Sequence, residues 1–141
     1  MEKIAVIGGG AAGMMASIFA ARRAMEVHVY EKNEKTGKKL YITGKGRCNL
    51  TNACDMEELL ESVKSNKKFL YSAFYGFTNQ DAYDFFEAEG LKLKVERGNR
   101  VFPLSDRSAD VLDTLRRAMR AAGVQVHLNT EVKSVRKQED G

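Results

Sequence analysis

The sequence has little of several residue types that common site chemistries need. Its 141 residues include two cysteines, two histidines, one proline and no tryptophan. Cys48 and Cys54 do not form a C-x-x-C pair or a zinc pattern, so we expect no metal site. We expect both thiols to be free, in a reducing compartment. No Ser/His/Asp or Cys/His arrangement can be assembled from the motifs, so hydrolase chemistry has little support.

Long apolar runs are also missing. No segment approaches the roughly 20 residues of a membrane span, and the chain enters a strand without a basic-then-apolar signal segment. Hydrophobic residues make up 43% of the sequence and charged residues 30%, which is the composition of a globular domain with its own core. We therefore expect a cytoplasmic protein without a membrane contact.

The most informative pattern lies in the first 31 residues. A short apolar run, Lys3–Ile7, is suited to a buried parallel strand. Three glycines follow in G-x-G-x-x-G spacing and open a helical pattern: Gly8, Gly10 and Gly13. A second apolar run, Glu26–Tyr30, then places Glu31 at its carboxyl end. This order is typical of a dinucleotide-binding βαβ unit, although an ordinary βαβ unit with a glycine-rich turn is the alternative.

Each part of this motif has a separate role toward a dinucleotide. Gly8 allows a tight turn out of the strand, Gly10 lets backbone approach a pyrophosphate, and Gly13 lets the helix pack against the strand. The helix N-terminus offers N–H groups to phosphates, and Glu31 can accept hydrogen bonds from ribose hydroxyls. A carboxylate at this position repels a 2′-phosphate, which disfavours NADP and leaves FAD and NAD open.

The remaining periodicity predicts an α/β protein. Beyond a long loop over residues 31–55, the expected elements are helices over 56–75 (broken near 65–66), 79–88 and about 105–122, a half-exposed hairpin over 91–102, and strands near 124–128 and 131–137. Asn79 or Asp81 is the predicted cap of the second helix.

The strands predict a partial doubly wound sheet. We place the strand near 124–128 at the sheet edge, beside Glu26–Tyr30, which gives three parallel strands and half of a doubly wound sheet. The last residues, Glu139-Asp140-Gly141, resemble a turn with no strand after it to pair with. We therefore expect residues 1–141 to be one Rossmann-like domain from the N-terminal part of a longer protein.

Positive charge is concentrated after Glu31. The net charge is +4, and six cations crowd one segment: Lys32, Lys35, Lys38, Lys39, Lys45 and Arg47. A nucleic-acid interface is one interpretation, but the segment contains glycines and only one aromatic residue, Tyr41. An anion site for the cofactor's phosphates is the simpler interpretation, and a solvated basic loop is the other alternative. We expect no nucleic-acid partner.

The same segment carries a more specific string, G-K-G-R-C-N-L-T-N, from Gly44 to Asn52. Together with the N-terminal G-G-G-A-A-G and the Glu-Lys-Asn that begins at Glu31, it closely resembles a family of bacterial NAD(P)/FAD-dependent oxidoreductases. These flavoproteins are known as YhiN-like or aminoacetone oxidase family proteins, and some relatives are described as bile-acid dehydro-reductases. The resemblance covers essentially the whole chain and moves the preferred cofactor from NAD to FAD.

The resemblance also implies a set of FAD-binding residues. The glycine-rich turn would face the pyrophosphate, Glu31 the adenosine ribose and the backbone at Val132 the adenine edge. Arg47 would act on the pyrophosphate or near the flavin, while Cys48 is expected mainly to be a small packing residue. The expected cofactor-binding residues are Gly8, Gly10, Ala11, Ala12, Gly13, Glu31, Lys32, Lys39, Gly46, Arg47, Cys48, Asn49 and Val132.

The resulting hypothesis is the FAD-binding portion of a flavin-dependent oxidoreductase. Hydride would pass between FAD and a nicotinamide donor or small organic substrate, with NAD(P)H as a candidate co-substrate. Members of the resembled family are longer, with an inserted substrate domain and a C-terminal segment that this sequence lacks. The alternatives are an NAD-dependent dehydrogenase half-domain and a non-catalytic dinucleotide-binding module. The sequence names no catalytic residue, no substrate and no oligomeric state.

Overall fold

The computed structural model describes residues 1–139, with six helices and six strands in that range. The strands are β1 Lys3–Ile7, β2 Glu26–Tyr30, β3 Thr51–Asn52, β4 Leu93–Glu96, β5 Arg100–Pro103 and β6 Gln125–His127. The α-helices are α1 Ala11–Ala21, α2 Lys38–Ile42, α3 Met56–Glu61, α4 Lys67–Gly76, α5 Asn79–Ala88 and α6 Ser108–Ala121. Two short 3-10 turns cover Thr43–Gly46 and Arg97–Asn99.

The chain folds into two compact units. Of the described residues, the first unit contains 1–40 and 115–139, and the second contains 41–114. The domain assignment made from the sequence stays a prediction. Within residues 1–139, no helix has the length and apolar character needed to cross a bilayer.

The first unit is built on a three-stranded parallel sheet in the order β1-β2-β6. Its register places Val6 beside Val29 and Val29 beside Val126. Helix α1 packs against β1 and β2, and its Met14 and Ile18 are fully buried, as is Val29 on β2. The predicted position of the 124–128 strand at the edge, beside β2, is confirmed.

The second unit contains a small antiparallel sheet in the order β3-β5-β4. Three of the four residues of its central strand are buried, and Val101 is completely buried. Phe85 and Phe86 of α5 are also buried and meet edge to face, with their ring centroids 5.1 Å apart. The predicted hairpin over 91–102 is confirmed as β4 and β5, and it begins two residues later than expected. The α/β fold with a parallel sheet and a small antiparallel sheet is therefore confirmed.

Three predictions of local structure are wrong. Residues 31–55 are not one loop, because α2, a 3-10 turn and β3 lie within them. The cap of α5 is Thr78, whose hydroxyl accepts from the Asp81 N–H at 3.0 Å, rather than Asn79 or Asp81. Residues 131–137 form no strand. In the predicted final turn, Asp140 and Gly141 lie outside the described residues.

Candidate functional site

The glycine-rich turn joins β1 to α1 in the first unit. Gly8 has φ +97°, in the left-handed region that glycine enters without steric cost. Its N–H donates to the Tyr30 carbonyl oxygen at 2.8 Å. This bond extends the β1–β2 ladder by one step, so the turn begins at the carboxyl ends of both strands. Sheets of this class bind ligands at this end.

The other two glycines of the motif differ in their surroundings. A Cβ at Gly13 would lie 2.0 Å from the Gly8 carbonyl oxygen, closer than any side chain can approach. A Cβ at Gly10 would meet nothing within 4 Å. Gly13 is therefore required by the packing of the turn against the helix, whereas the space beside Gly10 is open.

The N-terminus of α1 is available to an anion. Gly10 is the N-cap residue in an extended conformation, and it provides no side-chain cap. Gly10, Ala11 and Ala12 are all exposed. Because the first N–H groups of a helix have no intrahelical partner and carry partial positive charge, this end of α1 suits a phosphate.

Glu31 lies at the carboxyl end of β2 and is 7% exposed. Its Oε2 accepts from the Gly9 N–H at 2.7 Å, and its Oε1 accepts from the N–H and the side-chain Nδ2 of Asn33, both at 2.9 Å. Burial favours the neutral acid, but the hydrogen bonds from Asn33 and Gly9 outweigh it and lower the pKa of Glu31. Glu31 is therefore ionised at neutral pH, and the three donors leave about one of a carboxylate's four acceptor directions for a ligand.

Sequence reasoning missed Gly9 and Asn33, which donate to this carboxylate, and the close packing around Gly9. A Cβ at Gly9 would lie 2.9 Å from Thr36 Cγ2 and 3.2 Å from Glu31 Oε2. Thr36 is buried, and Arg116 donates from Nη2 to its carbonyl oxygen at 2.7 Å. Two signals were available in the sequence. One was the middle glycine of the G-G-G run. The other was Asn33, two residues after Glu31, because a short amide side chain commonly bonds locally.

Three other residues of the first unit were predicted to bind the cofactor. Each lies outside the strands and helices or on the surface of a helix. Lys32 and Lys39 are exposed, and Val132 is half-buried in a segment without regular structure. Within the same basic segment, Lys38 Nζ donates to Glu34 Oε1 at 3.0 Å. One of the six cations that suggested an anion site is thus paired with an acid four residues earlier.

In the second unit, the predicted string forms a tight turn that bonds to itself. Gly44, Lys45, Gly46 and Cys48 all have positive φ, between 55° and 83°. The Arg47 N–H donates to the Gly44 carbonyl oxygen and the Cys48 N–H to that of Thr43, each at 3.1 Å. A Cβ at Gly44 would lie 2.9 Å from the Asn49 nitrogen. These backbone N–H groups therefore close the turn.

Cys48 is buried, and Asn49 bonds the turn to the small sheet. The Cys48 side chain is 4% exposed, and burial raises the pKa of its thiol. Asn49 is exposed, and with its amide oriented to satisfy both polar atoms, Nδ2 donates to the carbonyl oxygens of Thr51 at 3.1 Å and Val101 at 3.2 Å. The expectation that Cys48 is a small packing residue agrees with this burial.

Arg47 is bound by two carboxylates of the second unit. Its Nε donates to Asp106 Oδ1 at 2.8 Å, and its Nη2 lies 2.7 Å from the same oxygen and also bonds to Glu96. The guanidinium carbon is 4.0 Å from the centroid of the Phe102 ring. The bond to Arg47 lowers the pKa of Glu96, and bonds to Lys94 and then Arg47 lower that of Asp106. Sequence reasoning did not identify either acid.

The fold and the turn geometry define the class of protein. A parallel sheet, a G-x-G-x-x-G turn at its carboxyl end and an acid after the second strand describe a Rossmann-type domain. The chain belongs to the family of the HI0933-like protein Rossmann domain, whose model matches residues 2–141.

Two curated relatives and one solved structure illustrate the similarity. The chain is 34% identical over 138 residues to a 3-dehydro-bile acid delta(4,6)-reductase of Clostridium scindens, and 32% identical over 136 residues to a ribosomal RNA dihydrouridine synthase of Escherichia coli K12. Each match covers 96% of this chain and 33% of the relative. The chain thus spans about a third of these proteins' length. A flavocytochrome c3 fumarate reductase has a similar fold, with a TM-score of 0.57 and 23% identity over 91% of this chain and 27% of the other.

Proposed function

We propose that this chain is the FAD-binding portion of a flavin-dependent oxidoreductase. The ionised Glu31 at the end of β2, bonded to the glycine-rich turn through the Gly9 N–H at 2.7 Å, is the observation that supports the proposal most. It supports the proposal because the acid that would accept from ribose hydroxyls is bonded directly to the turn that would receive the pyrophosphate. The YhiN-like or aminoacetone oxidase assignment remains part of this proposal.

The residues of the first unit fit the ADP half of FAD. Glu31 keeps about one acceptor direction for a ribose hydroxyl, the α1 N-terminus has no side-chain cap, and the space beside Gly10 is open. We propose that Gly8, Gly10, Ala11, Ala12 and Gly13 form the pyrophosphate-binding turn. Lys32, Lys39 and Val132 remain proposed contributors from the same unit.

The residues of the second unit that we propose as FAD contacts are Gly46, Arg47, Cys48 and Asn49. Their support is the resemblance of the string from Gly44 to Asn52 to the flavoprotein family. Bound FAD supplies hydride acceptance and donation. The chain's own contribution is to bind and orient the cofactor, and no residue is assigned a proton-transfer role.

Retention of flavin tests this function. The protein purified at full length should carry flavin absorbance that anaerobic NADH or NADPH bleaches. Glu31→Ala should weaken FAD binding by about one charge-assisted hydrogen bond, about 1.5–3 kcal/mol. Glu57→Gln, at an exposed position in the first turn of α3, is a control that should bind normally. A protein that holds no flavin in any form would remove the proposal, and NAD binding without flavin would favour the dehydrogenase alternative.

We further propose a small organic substrate for the whole protein, as the name of the bile acid reductase suggests for that relative. In the basic segment, Lys38 is paired with Glu34, and Arg47 is bound by Glu96 and Asp106. This internal pairing weakens the segment as a polyanion surface. The dihydrouridine synthase raises RNA as the other substrate class, and steeply salt-dependent binding of ribosomal RNA would favour it.

A further inference from the structure

The two carboxylates hold one side of the Arg47 guanidinium. Asp106 Oδ1 takes the Nε and Nη2 hydrogens, at 2.8 and 2.7 Å, and Glu96 also bonds to Nη2. The face of the group lies on the Phe102 ring, 4.0 Å from its centroid. Among residues 1–139, none accepts a hydrogen bond from Nη1. The guanidinium is therefore held along its Nε–Nη2 edge and on one face. Its Nη1 group remains as a donor on the other edge.

The acids come from parts of the unit that are distant from Arg47 in sequence. Glu96 ends β4, and Asp106 lies between β5 and α6 with φ +59°. Lys94 Nζ lies 2.7 Å from Asp106 Oδ2 and 3.6 Å from Glu96 Oε2. The two acids and two bases sum to zero charge, so the cluster neither attracts nor repels an anion strongly at long range. Its effect on Arg47 is mainly one of orientation.

We propose that Glu96 and Asp106 are positioning residues that orient Arg47 to donate from Nη1 to an anionic group of a ligand, and that hold the turn from Thr43 to Cys48 in place. The identity of that ligand as FAD rests on the proposed function. The holding of the turn does not, because the contacts that carry it all lie within residues 41–114. Phosphate oxygens suit a pre-oriented guanidinium, since a fixed fork loses less freedom when it binds.

If the carboxylates orient Arg47, neutralising them should change FAD affinity in one direction. If they only compete for its charge, the change should be in the opposite direction. If the carboxylates only compete with the ligand for Arg47, neutralising them should strengthen the binding of an anion. If they orient Arg47, neutralising them frees the side chain to adopt other rotamers and should weaken binding. The direction of the change in FAD affinity therefore separates the two accounts.

The first arm of the test measures FAD affinity in the full-length protein by flavin fluorescence. The variants are Asp106→Asn, Glu96→Gln and the double variant, with Glu57→Gln as an exposed control that matches the charge change of each single variant. The double variant should bind FAD about tenfold more weakly, the scale of one charge-assisted hydrogen bond, and Glu57→Gln should bind as the parent does. FAD affinity in the double variant equal to or above that of the parent would overturn the positioning role. If the double variant does not fold, the single variants decide by the same criterion.

The second arm needs no cofactor. Cys48 is buried beside Arg47, so its rate of maleimide labelling, measured in a Cys54→Ser background, reports opening of the turn. The double variant should label at least about fivefold faster than the parent, because labelling follows the population of the open form. Unchanged labelling would refute the holding role. If the parent binds no FAD, the proposed function fails while labelling still decides whether the carboxylates hold the turn.

Discussion

Replacing Gly13 with alanine should destabilise the first unit. The new Cβ would lie 2.0 Å from the Gly8 carbonyl oxygen and 3.3 Å from Val6 Cγ1. The oxygen cannot retreat freely, because the Gly8 N–H is bonded to Tyr30 at 2.8 Å. Overpacking costs up to about 3 kcal/mol in most cases, and the better helix propensity of alanine offsets about 1 kcal/mol. Because a 2.0 Å contact belongs at the upper end of that range, we expect a net loss of about 2 kcal/mol after this offset.

Gly10→Ala is the matched control from the same motif. Its Cβ would meet nothing within 4 Å, so only the N-cap preference for glycine is lost, about 0.5–1 kcal/mol. Urea unfolding followed by far-UV circular dichroism measures both variants, and an unchanged slope would show that stability itself changed. Equal midpoints for Gly13→Ala and Gly10→Ala would refute the packing argument. In the proposed function, Gly10→Ala should nevertheless impair FAD retention, because its methyl group would occupy space offered to the pyrophosphate.

Three further predictions concern the bonds around Glu31, the start of α5 and acid stability. Glu31→Gln should lower the free energy of unfolding by about 1–3 kcal/mol, because its amide NH₂ would face a backbone donor; a urea midpoint like that of Glu57→Gln would contradict this. Thr78→Ala removes a capping box whose Asp81 Oδ2 accepts from the Thr78 N–H at 2.8 Å, and it should cost about 1 kcal/mol in the same assay. The pKa values of Glu31, Glu96 and Asp106 are lowered in the folded state, so their stabilisation is complete at pH 7 and is lost as pH falls below about 4.5 through the native pKa values. Urea midpoints at pH 7 and pH 3 measure this loss, which should be smaller in Glu31→Gln, and equal midpoints for the parent would count against it.

The parts of the fold predicted from sequence share a local, repeated pattern. The β1–α1–β2 unit combines two apolar runs with glycines at fixed spacing, and the helix over 108–121 has a long apolar face that ends before Gly123. Such patterns are visible in a window of ten residues or so, since the period of the side chains sets which face is buried. They were sufficient to predict the position of β6 beside β2.

The elements that sequence reasoning missed are short or depend on distant partners. Strand β3 has two residues, and it exists because Thr51 pairs with Val101 and the Leu50 N–H donates to the Val101 carbonyl oxygen at 2.9 Å. Two residues carry no periodicity. Residues 131–137 show the opposite case, in which a strand-like pattern forms no strand, because a strand needs a partner for its backbone groups.

The sequence by itself determined the glycine spacing, the position of Glu31 after the second strand and the density of positive charge that follows it. Tertiary structure decided what these residues do. It bonded Glu31 to Gly9 at 2.7 Å, left 2.0 Å for a Cβ at Gly13, and bound Arg47 to Glu96 and Asp106. The physical reason is that backbone freedom and side-chain period are local properties, whereas the partner of a charge is set by which distant segments the fold brings together.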